Sequence, residues 1–299
     1  MKKKPAKVNF FKLVPGAKGG IDEFKENLSN SYDSFKKKDY DAIPTLEMNG
    51  DKYYIQAMEK RNIDVDYYYW LVTISRVDLD QEIIIADITK TIDKRRREIE
   101  HSENEGIVAD TRLIFDPFRN ILAVYVQRGT INTSDLRKFI CNLVDKKGIQ
   151  FQIILNENGY KRIDKLDIVN KISYKVASPD NFKSYGDESR SEFADFKFAR
   201  SFEGSELAIA LSADQLEKAT IKSKVKDLLS FSDDLAVKAL KVDGIVNGVE
   251  DTIDLIKNRL IYSGDIEYSE DIDDKAAYGL LNKAYDTYHT YLKKIYKVV

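Results

Sequence analysis

The segment that most constrains this chain is Arg112-Leu-Ile-Phe115, Asp116-Pro117-Phe118-Arg119-Asn120, Ile121 to Val126. Two short β-branched and aromatic runs flank five residues of turn chemistry. Asp116 can bond its own backbone two residues on, and Pro117 has its own φ preset for the second position of a turn. The pattern predicts two antiparallel strands. A lone hairpin is marginal in water, so further strands must pair with it and an apolar layer must cover it. The run Tyr67-Tyr68-Tyr69-Trp70-Leu71, continued through Val72, Ile74 and Val77, supplies one such strand. Aromatic rings can stack on unpaired bases. Here no basic residue interrupts Tyr67 to Ile74, so the run is read as a central strand with bulky side chains on both faces.

The same logic gives a strand over Val8 to Val14, closed by Pro15 and the Gly19-Gly20 pair, then a helix from about Ile21 to Phe35. A hairpin is expected with arms Lys52 to Met58 and Asp66 to Val77. Ile83 to Ile85 reads as a short strand, and Thr89 to Glu100 as a polar segment or helix. Thr133 or Ser134 is the expected cap of a helix whose apolar face is Leu136, Phe139, Ile140, Leu143 and Val144. A strand over Ile149 to Leu155, a short helix over Ile163 to Asn170 and a strand over Ile172 to Val176 follow. A helix is expected through Ser212 to Leu229, and short strands over Ala236 to Lys241 and Glu250 to Leu255. Near the carboxy end, Asp271, Asp273 and Asp274 precede Leu281, Tyr285, Tyr288, Leu292 and Ile295, with Lys293, Lys294 and Lys297 behind them. Acidic start, basic end and three- and four-residue apolar steps define an amphipathic helix. The fold class is therefore α+β, with mixed or mainly antiparallel sheets, flanking helices and a C-terminal amphipathic helix. The apolar-poor stretch Pro179 to Ser191 suggests a division into an N-terminal domain over 1–180 and a smaller one over 190–299.

Composition narrows the function classes. The chain has 299 residues, 43% of them hydrophobic, enough for a large core. Its 48 Lys and Arg against 50 Asp and Glu leave a net charge of -2, so no global field draws it to nucleic acid. Cys141 is the single cysteine, which excludes an intrachain disulfide and a multi-thiolate zinc site. No long apolar span is present, so no transmembrane segment is expected and a cytoplasmic location is the simplest. A P-loop, a dinucleotide-binding glycine triad, a serine-hydrolase elbow and a zinc-protease helix are all lacking.

Local charge is more telling. Lys90, Lys94, Arg95, Arg96 and Arg97 form a basic run that Glu98, Glu100, Glu103 and Glu105 follow at once. With Arg112, Arg119 and Arg128 they are the candidate nucleic-acid contacts, since guanidinium and ammonium groups meet phosphate. Arg95 or Arg96 with His101 has the spacing of a short basic–histidine ribonuclease motif, in which the imidazole exchanges protons with the attacking or leaving oxygen. Glu103, Glu105, Asp110 and Asp116 are carboxylates of the kind that hold magnesium in phosphoryl chemistry. No cofactor is predicted, and magnesium or manganese enters only under that nuclease alternative.

The succession His101-Ser-Glu-Asn-Glu-Gly106, Arg112-Leu-Ile-Phe-Asp116-Pro117, Asn120-Ile-Leu-Ala-Val124 and Gly129, with Gly244 to Leu260, resembles bacterial proteins of mobile-element and phage-defence settings. The organisation is distantly similar to the DNA-binding subunit of the Kiwa defence system. That resemblance implies an antiphage defence accessory or effector that binds DNA or RNA together with a bacterial or phage protein partner. It carries no active site over. A protein-binding structural adaptor without nucleic-acid binding and a ribonuclease or metal-dependent nuclease are the alternatives. A homo-oligomer is compatible with each.

Overall fold

The computed structural model describes residues 1–16, 19–64, 66–100, 102–146, 148–177, 206–230 and 237–298. Its centre is an eight-stranded sheet built from β1 (Lys2–Val14), β2 (Leu46–Met48), β3 (Asp51–Asn62), β4 (Tyr68–Asp78), β7 (Ile107–Asp116), β8 (Ile121–Val126), β9 (Gln150–Ile153) and β14 (Ile261–Tyr268). The order is β14-β1-β8-β7-β4-β3-β2, with β9 also on β1. Every pairing is antiparallel. The Asp116 to Asn120 turn joins β7 and β8 as its chemistry requires: Asp116 Oδ1 accepts from the Phe118 and Arg119 amides at 2.9 and 3.1 Å. Asn120 ends the turn in the left-handed region, at φ 50°.

Both faces of this sheet are buried, which explains the continuous apolar runs. Trp70, Val72 and Ile74 of β4 join Leu113, Phe115, Leu122 and Val124 in one core; Tyr69 and Leu71 join Ile114, Ala123 and Tyr125 in another. The alternation is the two-residue period of a strand. Over the first face lie α1 (Ile21–Lys37) and α2 (Thr133–Leu143). The Phe24 ring sits 4.9 Å from Phe115, and Phe139 sits 6.3 Å from Tyr53. The second face is covered by α5 (Asp274–Ile295), through Ala277, Tyr278, Leu281, Ala284, Tyr285 and Leu292.

The cap of α2 is Asn132, one residue before the expected pair, since its side chain reaches the Asp135 amide at 2.9 Å. Asp273 caps α5, accepting from the Ala276 amide at 2.8 Å. α3 (Glu157–Lys165) begins earlier than expected, because the Asn156 side chain accepts from the Gly159 amide at 2.9 Å.

A second sheet has the order β11-β10-β12-β13, from β10 (Ile168–Ala177), β11 (Glu206–Leu216), β12 (Val237–Val246) and β13 (Val249–Asp254). Ile172, Tyr174, Val176, Leu240, Val242 and Ile253 extend the first core into it, as do Ile221, Val225, Leu228 and Leu229 of α4 (Lys218–Ser230). The helix expected from Ser212 is therefore strand to Leu216, held by the β10 ladder. Asn247 and Gly248, at φ 49° and 78°, form the two-residue turn between β12 and β13. The division expected between 180 and 190 falls between β10 and β11, which pair with each other; 178–205 lie outside the described residues. The chain then returns to the first sheet, where β14 pairs with β1 from Lys2↔Tyr268 to Asn9↔Ile261. Among the described residues no helix is long and apolar enough to cross a membrane.

Candidate nucleic-acid interface

β4 and β7 stay paired out to Asp78↔Ile107, and the chain between them leaves the sheet as an arm. Asp78 Oδ1 accepts from the Asp80 and Gln81 amides at 3.2 and 3.0 Å, which turns the chain at the root. Gly106 packs there so closely that a Cβ would stand 2.2 Å from the Asp78 carbonyl oxygen. Beyond the root, β5 (Ile83–Ala86) pairs with β6 (Arg96–Ile99) in a two-stranded ribbon. The polar segment or helix expected over Thr89 to Glu100 is thus a tip followed by a strand. Ile83, Ile84 and Ile85 are β-branched and template a strand opposite.

The tip is ordered by its own polar groups. The Asp87 amide donates to the Arg95 carbonyl at 2.8 Å. Two consecutive turns follow, closed by Lys90 N to Asp87 O at 3.2 Å and Lys94 N to Thr91 O at 3.0 Å. Asp87 Oδ1 also takes the Thr89 amide at 3.0 Å and its hydroxyl at 2.6 Å; those bonds lower the Asp87 carboxyl pKa. Arg95 folds back, its Nε and Nη2 donating to the Lys90 carbonyl at 3.4 and 3.3 Å.

Charge is segregated along this arm. Residues 87–97 hold five cations against Asp87 and Asp93, a net of three positive charges. The proximal portions, 79–86 and 98–106, hold Asp80, Glu82, Glu98, Glu100, Glu103 and Glu105 and no Lys or Arg. Lys90, Lys94, Arg96 and Arg97 are exposed, and Arg96 and Arg97, as neighbours on a strand, project from opposite ribbon faces. Arg128 is exposed just past the end of β8. The Leu113↔Val124 register places it at the arm end of the sheet.

Arg112 and Arg119, expected as phosphate contacts, are instead inside the protein. Arg112 is 8% exposed; its Nε donates to Asp274 at 2.8 Å and its Nη2 to Asp110 at 3.1 Å. Thr73 and Tyr278 complete this network, at 2.9 Å from Asp274 Oδ1 and from one another respectively. It ties the start of α5 to β4 and β7. Arg119 is 3% exposed, and its Nη1 lies 3.5 Å from Asp116 Oδ2. A buried guanidinium facing a carboxylate holds the fold and has no reach to an outside phosphate.

The carboxylates expected in a metal site do not gather. Glu103 and Glu105 lie at the arm root, where Glu105 Oε2 accepts from the Ser102 amide at 2.9 Å. Asp116 closes the other end of β7, about 30 Å away at a strand's rise per residue. Asp110 is engaged with Ser75 at 2.6 Å and with Arg112. Among the described residues no group of three or more His, Cys, Asp or Glu is placed to hold a metal ion. His101 lies outside the described residues.

Asp116 has a different setting that its sequence neighbours did not reveal. Fully buried, it accepts the hydroxyls of Tyr67 and Tyr285 at 2.6 and 2.5 Å. Burial and the adjacent carboxylate push both phenol pKa values far up, so both remain donors. The rings of Tyr67 and Tyr285 lie 5.5 and 5.8 Å from that of His289, whose pKa is lowered by burial and then by Arg119. Asp116 Oδ2 takes the hydroxyls of both Tyr67 and Tyr285 and faces the Arg119 guanidinium as its counter-charge, and together these contacts lock α5 to the β7–β8 turn. The signal available in sequence was the Asp116 turn opening alone; its partners are 49 and 169 residues away.

Residues 1–295 match DUF6731, a family of unknown function, and the chain belongs to that family. No curated protein and no solved structure matches it.

Proposed function

We propose that this protein binds nucleic acid on the distal half of its arm and acts as an accessory to a protein partner. The observation that carries the reading is the segregation of charge: a cationic, exposed tip on an acidic stem. A polyanion is drawn to the tip and repelled by the stem, so contact is confined to one end. A two-stranded ribbon also has the cross-section of an element that lies in a duplex groove. Such a ligand reaches the arm without disturbing either core. The setting in antiphage defence, or on a mobile element, rests on the sequence resemblance.

The protein-adaptor reading has one observation in its favour, the exposed Ile84 and Ile85 of β5, which a partner strand or surface would cover. For a nuclease, Glu105 and Asp116 at opposite ends of β7 offer little support.

Fluorescence anisotropy with duplex DNA, single-stranded DNA and RNA across about 50–200 mM salt tests the proposal. Combined Lys94→Gln, Arg96→Gln and Arg97→Gln should weaken binding. If all three meet B-DNA phosphates, the slope of log K against log salt falls in magnitude by roughly 2.7. Combined neutralisation of Lys293, Lys294 and Lys297 at the far end of α5 should change neither. Equal binding by wild type and the arm variant, or no binding to any of the three nucleic acids, overturns the reading.

A further inference from the structure

The same arm carries two side chains that phosphate contact does not use. Ile88 and Ile92 stand at the second positions of the two consecutive tip turns and are 83% and 84% exposed. Large apolar side chains are normal singly on a surface. These two differ in sharing one hydrogen-bonded loop, with Lys90 between them in the chain and Lys94, Arg96 and Arg97 following at once. The loop is braced from within by Asp87, Thr89 and Arg95. An ordered apolar point with a cationic collar is complementary to a base stack edged by phosphates.

We infer that Ile88 and Ile92 form a wedge that enters a base step of double-stranded DNA from the minor groove and kinks the duplex. This rests on the proposed nucleic-acid role and adds the form of the ligand and what happens to it. The collar neutralises phosphates on either side of the opened step, while the isoleucines replace the lost stacking with apolar contact. Steps that unstack readily, pyrimidine followed by purine, are preferred, and stiff A-tracts are disfavoured. The arm therefore selects deformable duplex without reading base edges. Net repulsion from Glu98, Glu100, Glu103 and Glu105 on the stem keeps the duplex at the tip.

The test uses the full chain and a duplex of about 20–30 base pairs with a central TA step, labelled at its ends for energy transfer. A second copy carries 2-aminopurine at the step. Wild type should bend the duplex by about 20–90° and raise the 2-aminopurine signal. Ile88→Ser with Ile92→Ser should lose both while retaining the salt slope of binding. Because both positions are exposed, its thermal unfolding should match wild type. Binding with a straight duplex, or bending undiminished in the serine variant, overturns the wedge and leaves the proposed function standing. Absence of any DNA binding by wild type overturns both. Isoleucine-dependent binding to vesicles of phosphatidylserine and phosphatidylcholine, with no DNA bend, would assign the tip to an anionic membrane and overturn the wedge.

Discussion

Replacing Asp116 by Ala should destabilise the protein more than any other single polar substitution in the described cores. The carboxylate is fully buried and takes two phenol hydroxyls at 2.6 and 2.5 Å and two turn amides at 2.9 and 3.1 Å. It is also the counter-charge of Arg119, which is 3% exposed. Alanine leaves a buried guanidinium without its anion and four donors without their acceptor. Breaking a buried pair from one side costs about 3–5 kcal/mol. Tyr67 is only partly buried and can be rehydrated, so we expect about 4 kcal/mol, the middle of that range. At roughly 2–4 °C per kcal/mol for a chain of this size class, the Tm falls by about 8–16 °C. Asp116→Asn keeps an acceptor for the turn amides but turns a donor toward the phenols, and should cost about half as much, ~2 kcal/mol. Tyr285→Phe should cost about 2 kcal/mol, since it deletes a hydrogen bond to a charged acceptor. Combined with Asp116→Asn it should show a coupling of about 1 kcal/mol, because both changes remove one interaction. Urea and thermal unfolding of wild type and the four variants give these values. A loss below about 1 kcal/mol for Asp116→Ala would refute the account, since that is the scale of an ordinary exposed ion pair.

Two further outcomes follow from local geometry. His289 is shifted below its ordinary value by burial and by Arg119, with Lys293 adding and Asp116 and Asp286 opposing. The unfolded chain then binds the proton more readily, so this contribution is complete above about pH 6.5 and is lost as pH falls through the lower folded value. Wild-type stability should fall as pH is lowered through and below about 6.5, and His289→Gln should flatten that slope in urea titrations; an unchanged slope counts against it. At the arm root, Gly106→Ala places a Cβ against the Asp78 backbone and must displace it. Faster amide exchange across 78–107 and weaker nucleic-acid binding are expected with little change in Tm, whereas unchanged exchange in the arm would show that the root is not held by this contact.

The elements whose order depends on near neighbours were legible from the residues. The β7–β8 hairpin follows from Asp116-Pro117 between β-branched runs, and α2 and α5 from apolar steps of three and four. β4 was recognisable as a central strand because its run is apolar on both parities, and a strand alternates faces at every residue. The arm's net charge could be counted, but not its arrangement. Arg95 belongs to the same basic run as Arg96 and Arg97, yet folds onto the Lys90 carbonyl while they remain exposed. Side-chain environments set by distant chain segments were beyond reach for the same reason. Arg112 and Arg119 look like surface cations until Asp274 and Asp116 are brought beside them. Asp116 looks like an ordinary turn opening until Tyr285 arrives from 169 residues away. Local pattern determined the β7–β8 hairpin, β4, α2 and α5, because backbone periodicity and turn chemistry act over a few residues, whereas 212–216, read as helix, became strand on the β10 ladder. Tertiary structure decided which charges were consumed in the cores and which were carried out to solvent, because burial and pairing depend on what packs from elsewhere in the chain.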